Sequence, residues 1–405
     1  MGEATDRILA ELVEDSAQPM ALGALSERGV STASSHCSTA DLFQVGSLSK
    51  LVCATGLSRL VARSEVSLQD PVIRAVPELK LQEVSVAREV TYLHLLLHRG
   101  GWEGDFYDDF GVGDEALERY VRALAGVPQV APLDYAFSYS NSGFGLLGHA
   151  LSRHLKLAFE DAIDTLVCRP LGLHSSGYPT AGRQSSELFR SAYPGGGFRT
   201  NVNDLLALGR HHLLDAPEWL SRPLTDAGQL ADQMAPGWMV DSFTGTPVLR
   251  LGGTVAGEAG LLALVPRLGI AFAALGTDLG YLGIALGRFL RLRLGLVQEH
   301  PGPCELPPSP LVPFTGEFVT ALDRYTLYED AGSLMMVRSP RGGYPRPDSR
   351  GGPPRAPCRL EFLGDDVVRV GAGPGEGQSG DFVRDGSGRV VWFRWEGRLS
   401  RRRPS

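Results

Sequence analysis

Ser47 and Lys50 stand in the stretch FQVGSLSK with the spacing S-x-x-K. Side chains three positions apart share one face of a helix, so the serine hydroxyl and the lysine amine can meet. A neutral amine there could take the hydroxyl proton and activate the serine as a nucleophile. Arginine could not, because its guanidinium does not deprotonate in proteins, and this chain places one of its only three lysines here. The tetrad alone also fits an N-cap serine followed by a surface lysine.

A second group of polar residues lies in FSYSNSGFGLLGHALSR (137–153), just before a predicted helix at 142–155. Tyr139 could relay a proton between the nucleophile and the leaving group. Asn141, two positions later, could hydrogen-bond the lysine or a substrate amide. The alternative interpretation is a core tyrosine followed by an asparagine cap.

The third stretch, RLGGTVAG (250–257), begins on a predicted strand. Consecutive glycines, including Gly253, let a substrate approach the strand backbone closely. The N–H of Thr254 could then join the N–H of Ser47 as a donor to a developing oxyanion. The alternative is a glycine bulge in a strand.

The elements that must position these residues can be read from apolar periodicity. Helices are predicted at 4–15, 47–63, 142–155, 203–214 and 280–296, and strands at 20–25, 42–45 and in the runs that follow residue 247. Strands at both ends with helices between them predict an α+β fold, in which both ends of the domain contribute to one antiparallel sheet.

The C-terminal part has a different pattern. A proline-rich linker is predicted at 298–313, followed by a small all-β domain, a barrel or curved sheet, at 314–405. A Gly- and Pro-rich segment at 338–357 is predicted to be a disordered loop inside it.

Taken in order, S-x-x-K, Y-x-N and the Gly-rich strand resemble the serine β-lactamase and penicillin-binding-protein superfamily, in its class C β-lactamase-like branch of esterases, D-peptidases and transacylases. The resemblance covers residues 1–297, and the trailing β domain resembles the lipocalin-like domain of some members. It implies a β-lactamase/transpeptidase-like fold, with Ser47 as nucleophile, Lys50 as base or its partner, Tyr139 as second acid/base and Asn141 as a polar positioner.

The third motif departs from that family. Lactamases and D,D-peptidases carry Lys or His where this chain has Leu251 or, in a register shifted by one residue, Arg250. Esterases of the branch often have W-G-G there, which L-G-G resembles. The departure favours a serine hydrolase acting on esters or amides, or an acyltransferase. It leaves open a transacylase of small-molecule biosynthesis and a non-catalytic binding protein on the same fold.

Composition excludes other classes of protein. A net charge of −7 argues against nucleic-acid binding. The sequence contains no run of 18 apolar residues, so no membrane-spanning helix is expected. Five scattered cysteines form neither a disulfide framework nor a zinc motif, so a reduced, cytoplasmic location is expected. Acyl transfer at Ser47 would need no metal or organic cofactor. Trp102, in a loop rich in acids and aromatics, could contact a small-molecule or peptide substrate or could be a packing residue. The oligomeric state stays open.

Overall fold

The structure is a computed structural model that describes residues 2–179, 188–298, 310–344 and 348–404. The strands before residue 277 are β1 (Met20–Ser26), β2 (Gly29–Ser35), β3 (Phe43–Gln44), β4 (Arg199–Thr200), β5 (Gln233–Met234), β6 (Met239–Phe243), β7 (Thr246–Val255), β8 (Glu258–Val265) and β9 (Ile270–Gly276). Seven of them form an antiparallel sheet in the order β2-β1-β9-β8-β7-β6-β5, while β3 and β4 pair separately. The N-terminal hairpin joins β9, so both ends of this part of the chain contribute to one sheet, as predicted.

Strands β8 and β9 are apolar along nearly their whole length, because both faces of the sheet are covered. One face packs against the first and last helices of this part, through side chains such as Leu9, Phe272 and Phe289. The other face packs against the helical region that carries the candidate site, through side chains such as Leu205 and Leu262.

The helices are α1 (Gly2–Glu14), α2 (Ser49–Ala62), α3 (Val84–Glu89), α4 (Tyr92–Leu96), α5 (Ala116–Ala123), α6 (Asn141–Leu155), α7 (Phe159–Ile163), α8 (Arg169–Leu171), α9 (Tyr193–Gly196), α10 (Val202–Leu214) and α11 (Leu279–Leu294). A π-helical stretch, Asp164–Cys168, joins α7 to α8. Helix α2 is buried on almost every side at the centre of this region. In the described residues, no helix has both the length and the apolar character needed to cross a membrane.

The remaining strands are β10 (Gly316–Val319), β11 (Asp323–Asp330), β12 (Ser333–Pro340), β13 (Cys358–Phe362), β14 (Val367–Ala372), β15 (Ser379–Arg384), β16 (Val390–Trp395) and β17 (Arg398–Arg402). They close into an antiparallel barrel, because β10 pairs with both β11 and β17. Aromatic side chains, among them Phe318, Phe382 and Phe393, fill its interior.

At two predicted boundaries the structure has an element of another type. The α-helix predicted from residue 47 begins at Ser49, because Gly46–Leu48 forms a 3-10 turn in front of it. The segment predicted as a disordered loop starts inside β12, which pairs with β11 as far as Pro340. Residues 299–309 of the predicted linker and 345–347 of the predicted loop lie outside the described residues, so the predicted domain boundaries stay predictions.

Candidate active site

Ser47 lies in the 3-10 turn that leads into α2, and backbone contacts hold this turn tightly. Ser49 donates from Oγ to the carbonyl of Gly46 (2.7 Å) and accepts from the N–H of Phe198 (3.0 Å). Gly46 has a φ of +49°, and a Cβ there would lie 2.5 Å from the backbone nitrogen of Thr254. The turn therefore sets Ser47 between strand β7 and the N-terminus of α2, whose positive dipole end favours a developing negative charge.

Lys50 is 2% exposed, and its amine contacts three oxygen atoms. They are Ser47 Oγ at 3.1 Å, Asn141 Oδ1 at 2.6 Å and the carbonyl of Gly195 at 2.9 Å. An ammonium group can donate to all three. A neutral amine can donate to the amide and the carbonyl, which turns its lone pair toward the serine hydroxyl. The geometry thus suits both protonation states of a base that accepts and returns the serine proton.

Tyr139 lines the cavity beside Ser47, and its ring has two close neighbours. The His98 ring stacks on it with centroids 4.5 Å apart, and Lys50 Nζ lies 4.8 Å from its centroid. Its backbone precedes Ser140, whose Oγ caps α6 by accepting from the N–H of Gly143 (2.9 Å). The structure therefore gives the cap to Ser140 and leaves the Tyr139 side chain at the cavity.

Asn141, the first residue of α6, connects Lys50 to a buried carboxylate. Its Oδ1 accepts from Lys50, while its Nδ2 donates to Asp105 Oδ1 (2.7 Å) and to Tyr107 Oη (2.7 Å). Tyr107 Oη in turn donates to the same carboxylate oxygen at 3.1 Å. Of the two partners expected for Asn141, the structure brings it to the lysine.

His98 is a buried neighbour of this group and is not placed as a metal ligand. Its Nδ1 accepts from the N–H of Ser140 at 2.9 Å. Burial, together with the positive charges of Lys50 and Arg398, lowers the pKa of His98 well below its ordinary value, so its ring is neutral. Among the described residues, no three His, Cys, Asp or Glu side chains cluster as metal ligands would.

Strand β7 settles which residue of the third motif stands on the side of the nucleophile. A Cβ at Gly253 would lie 2.0 Å from the Ser47 nitrogen, so Gly253 faces the serine turn. Side chains alternate along a strand, which puts Leu251 on the same face as Gly253 and Arg250 on the opposite one. Leu251 is 4% exposed within the apolar core. Arg250 also lines the cavity, and its guanidinium is paired with Asp241 and donates to the carbonyl of Leu230 at 2.6 Å.

The structure buries Trp102 to 2% exposure and ties its Nε1 to Ser142 Oγ at 2.9 Å. Trp102 is therefore a packing residue and is not among the residues that line the cavity. The same loop presents Asp105 and Tyr107 to the cavity instead.

A cavity of about 960 Å³ opens beside Ser47, and the barrel closes part of it. The barrel supplies Arg398, whose Nε donates to Asp105 Oδ2 at 2.7 Å and whose guanidinium carbon lies 5.0 Å from the Tyr139 ring centroid. Other lining residues from the barrel are Thr320, Leu322, Asp323, Arg338, Tyr344 and Glu396.

Sequence reasoning missed three contributors to the site: Asp105, Gly195 and Arg398. Asp105 belongs to the same loop of acids and aromatics as Trp102, so composition gives a weak signal for it. Nothing in the sequence pattern of the barrel distinguishes Arg398 from the many other arginines.

Charges in the site stabilise one another. Burial disfavours the Asp105 carboxylate, but the Arg398 guanidinium outweighs this effect and holds the pKa of Asp105 below its ordinary value. Burial likewise opposes the charge on Arg398, but Asp105 raises its pKa above the ordinary value. Burial and the Asp105 charge raise the pKa of Tyr107, which stays a neutral hydrogen-bonding group.

Comparison with known proteins agrees with the fold. Penicillin-binding protein 4 of Amycolatopsis lactamdurans is 29% identical over 358 residues, which is 76% of this chain and 92% of that protein. Esterase EstB of Burkholderia gladioli is 32% identical over 154 residues, or 35% and 39% of the two chains. The crystal structure of SurE with D-Leu superposes with a TM-score of 0.81 at 22% identity and covers 99% of both chains, barrel included.

The family model described as Beta-lactamase matches residues 6–294, a range that contains Ser47, Lys50, Tyr139, Asn141 and the Gly252–Thr254 strand. The resemblance predicted from the three motifs is therefore confirmed, as is the β-lactamase/transpeptidase-like fold followed by a small all-β domain. The fold is that of the serine hydrolases of this group, which include esterases and amidases. The chain belongs to the beta-lactamase family.

Proposed function

We propose that the protein is a serine hydrolase or acyltransferase that forms an acyl-enzyme at Ser47 from an ester or amide substrate. The observation that carries this proposal is the position of Lys50 Nζ. Lys50 Nζ hydrogen-bonds Asn141 Oδ1 and the Gly195 carbonyl, and its third partner is Ser47 Oγ at 3.1 Å. A surface lysine beside an N-cap serine would have neither the burial nor these two acceptors.

In the proposed acylation step, Ser47 Oγ attacks the carbonyl carbon while its proton passes to Lys50. The oxyanion of the tetrahedral intermediate accepts from the N–H groups of Ser47 and Thr254. Tyr139 transfers a proton to the leaving group as the bond to it breaks, and Lys50 replaces that proton. Water, or another alcohol or amine, then attacks the acyl-enzyme by the same route in reverse and frees Ser47.

The third motif favours a substrate without a carboxylate at this point of strand β7. Leu251 stands on the nucleophile side of β7, and the cation of Arg250 is paired with Asp241 on the other. A substrate carboxylate would find no lysine or histidine at this point of the strand. This supports ester or acyl-transfer chemistry over β-lactam or D,D-carboxypeptide hydrolysis.

The extent of the cavity keeps a transacylase as the second candidate. Its lining runs from Ser47 to barrel residues such as Thr320 and Arg338, which gives an acceptor a place on the barrel side. Turnover of an activated ester with increasing concentrations of an alcohol or amine separates the two reactions. A transacylase yields mostly the transfer product, whereas hydrolysis that dominates at every acceptor concentration points to the hydrolase.

The acyl-enzyme can be tested by intact-mass spectrometry after exposure to a fluorophosphonate. We expect one adduct that maps to Ser47 in the wild type, no adduct in Ser47→Ala, and an unchanged adduct in Ser85→Ala, which alters an exposed serine. A Ser47→Ala variant that still reacts like the wild type would refute the proposal. A folded wild type with neither adduct nor turnover on a broad panel of esters and peptides would favour the non-catalytic binding protein.

A further inference from the structure

The turn between β16 and β17 of the barrel packs directly onto the strand-like segment that carries Tyr139. The N–H of Tyr139 donates to the carbonyl of Gly397 at 2.8 Å, and the N–H of Leu399 donates to Ser138 Oγ at 3.1 Å. Gly397 has a φ of +73°, and a Cβ there would lie 2.2 Å from Leu230 Cδ1. The barrel is therefore fitted to the site at the residues next to the second motif.

This docking places Arg398 on Asp105, and Asp105 on Asn141. Arg398 Nε donates to one carboxylate oxygen at 2.7 Å, and Asn141 Nδ2 donates to the other at 2.7 Å. The Asp105 side chain is 2% exposed, and that of Arg398 is 29% exposed. The Arg398 guanidinium is the charged partner of this buried carboxylate, which would be costly to keep ionised alone.

An ionised carboxylate only accepts hydrogen bonds, so it must face the NH₂ end of the Asn141 amide. The amide oxygen then faces Lys50, where it is found at 2.6 Å. A protonated Asp105 could donate to the amide oxygen instead. The reversed amide would present its N–H groups to the Lys50 ammonium, and two hydrogen-bond donors cannot pair with each other.

We propose that Arg398, supplied by the C-terminal barrel, is a positioning residue that acts through Asp105 to set which end of the Asn141 amide faces Lys50. The barrel is then part of the catalytic apparatus, although it contributes no group to the proton transfer. The kinetic consequence rests on the proposed acyl-enzyme chemistry at Ser47, whereas the orientation of the amide does not.

The orientation can be observed without any activity, because the chain has only three asparagines: Asn141, Asn201 and Asn203. The full-length chain labelled with [¹⁵N]asparagine should give three side-chain amide signals, with that of Asn141 identified by its loss in Asn141→Asp. In the wild type its protons, buried against Asp105 and Tyr107, should exchange slowly with solvent. Arg398→Gln should shift this signal and speed its exchange, while the other two signals stay in place.

Two further variants separate charge from general damage to the barrel. Arg398→Lys keeps a positive charge near Asp105 and should retain the wild-type Asn141 signal. Arg384→Gln removes a barrel arginine paired with Asp366 outside the cavity and should leave the signal unchanged. The proposal is overturned if the Asn141 signal in Arg398→Gln equals that of the wild type, or if Arg398→Lys and Arg398→Gln change it alike.

The rate of fluorophosphonate labelling at Ser47 supplies the kinetic readout. Arg398→Gln should slow labelling at saturating reagent by about tenfold or more, since displaced catalytic groups lose rate rather than binding. If Arg398→Gln only raises the reagent concentration that gives the half-maximal labelling rate, and the Asn141 signal is unchanged, then Arg398 is a ligand contact and the positioning role is refuted. An unlabelled wild type refutes the acyl-enzyme but leaves the amide experiment decisive for Arg398.

Discussion

Gly253→Ala should disable the site through a single added methyl group. A Cβ at this position would lie 2.0 Å from the Ser47 nitrogen and 2.7 Å from the Val45 carbonyl oxygen. Non-bonded heavy atoms approach to about 3.5 Å, so the deficit is more than about 1 Å on the nitrogen alone. Both obstacles are backbone atoms, and no flexible side chain can move aside. We expect strand β7 and the serine turn to separate.

The separation displaces the Ser47 N–H from the proposed oxyanion site. Loss of one such donor costs about 10²–10³ in kcat, or roughly 2.7–4 kcal/mol of transition-state stabilisation. Steady-state hydrolysis of a p-nitrophenyl ester gives kcat and KM separately, and the loss should lie mainly in kcat. Gly252→Ala is the matched control, because its Cβ would lie 2.8 Å from the end of the Leu279 side chain, which can rotate away, and no closer than 3.2 Å to a backbone atom, the Gly260 carbonyl oxygen.

Two results would refute this reasoning. A folded Gly253→Ala variant with wild-type kcat would mean that the Ser47 N–H does not stabilise the transition state in this geometry. Equal losses in Gly253→Ala and Gly252→Ala, with equal losses of thermal stability, would mean that any added bulk on β7 damages the sheet.

Three further outcomes are expected. Burial raises the pKa of Glu103 from 4.5 to about 7, so the folded state holds a proton that the unfolded chain releases. This proton stabilises the folded state by on the order of 3 kcal/mol below about pH 4.5, and the stabilisation is lost as pH rises through about 7. Urea unfolding of Glu103→Gln should show a free energy of unfolding without this pH dependence. Arg190→Met should lower the free energy of unfolding by about 3–5 kcal/mol, since it leaves the buried Glu160 carboxylate without its two donors at 2.7 and 2.8 Å; an unchanged urea midpoint would contradict this. Lys50→Arg should keep the wild-type circular dichroism spectrum but slow fluorophosphonate labelling of Ser47 by a factor of about 10² or more, since arginine cannot release its proton. Labelling at the wild-type rate would exclude Lys50 as the base.

The parts of the site that lie close together in sequence could be predicted from it. Ser47 and Lys50 meet because they are three residues apart at the start of a helix, which local geometry alone dictates. Strands β7, β8 and β9 follow from apolar runs bounded by Gly and Pro, and the sheet formed from both chain ends follows from their order. The resemblance to a family supplied Tyr139 and Asn141, whose residue types alone also fitted ordinary packing and capping.

Tertiary structure decided what depends on distant residues. The Leu251 or Arg250 question turned on the face that β7 presents to the serine turn, which pairing with β8 and the close approach of Gly253 determine. Arg398 reaches Asp105 across 293 positions of the chain, and Lys50 reaches the Gly195 carbonyl across 145. No periodicity links such residues, because they meet only after the barrel and the helical region have packed. The sequence by itself determined which nucleophile and base could meet, and packing decided which groups hold them in place.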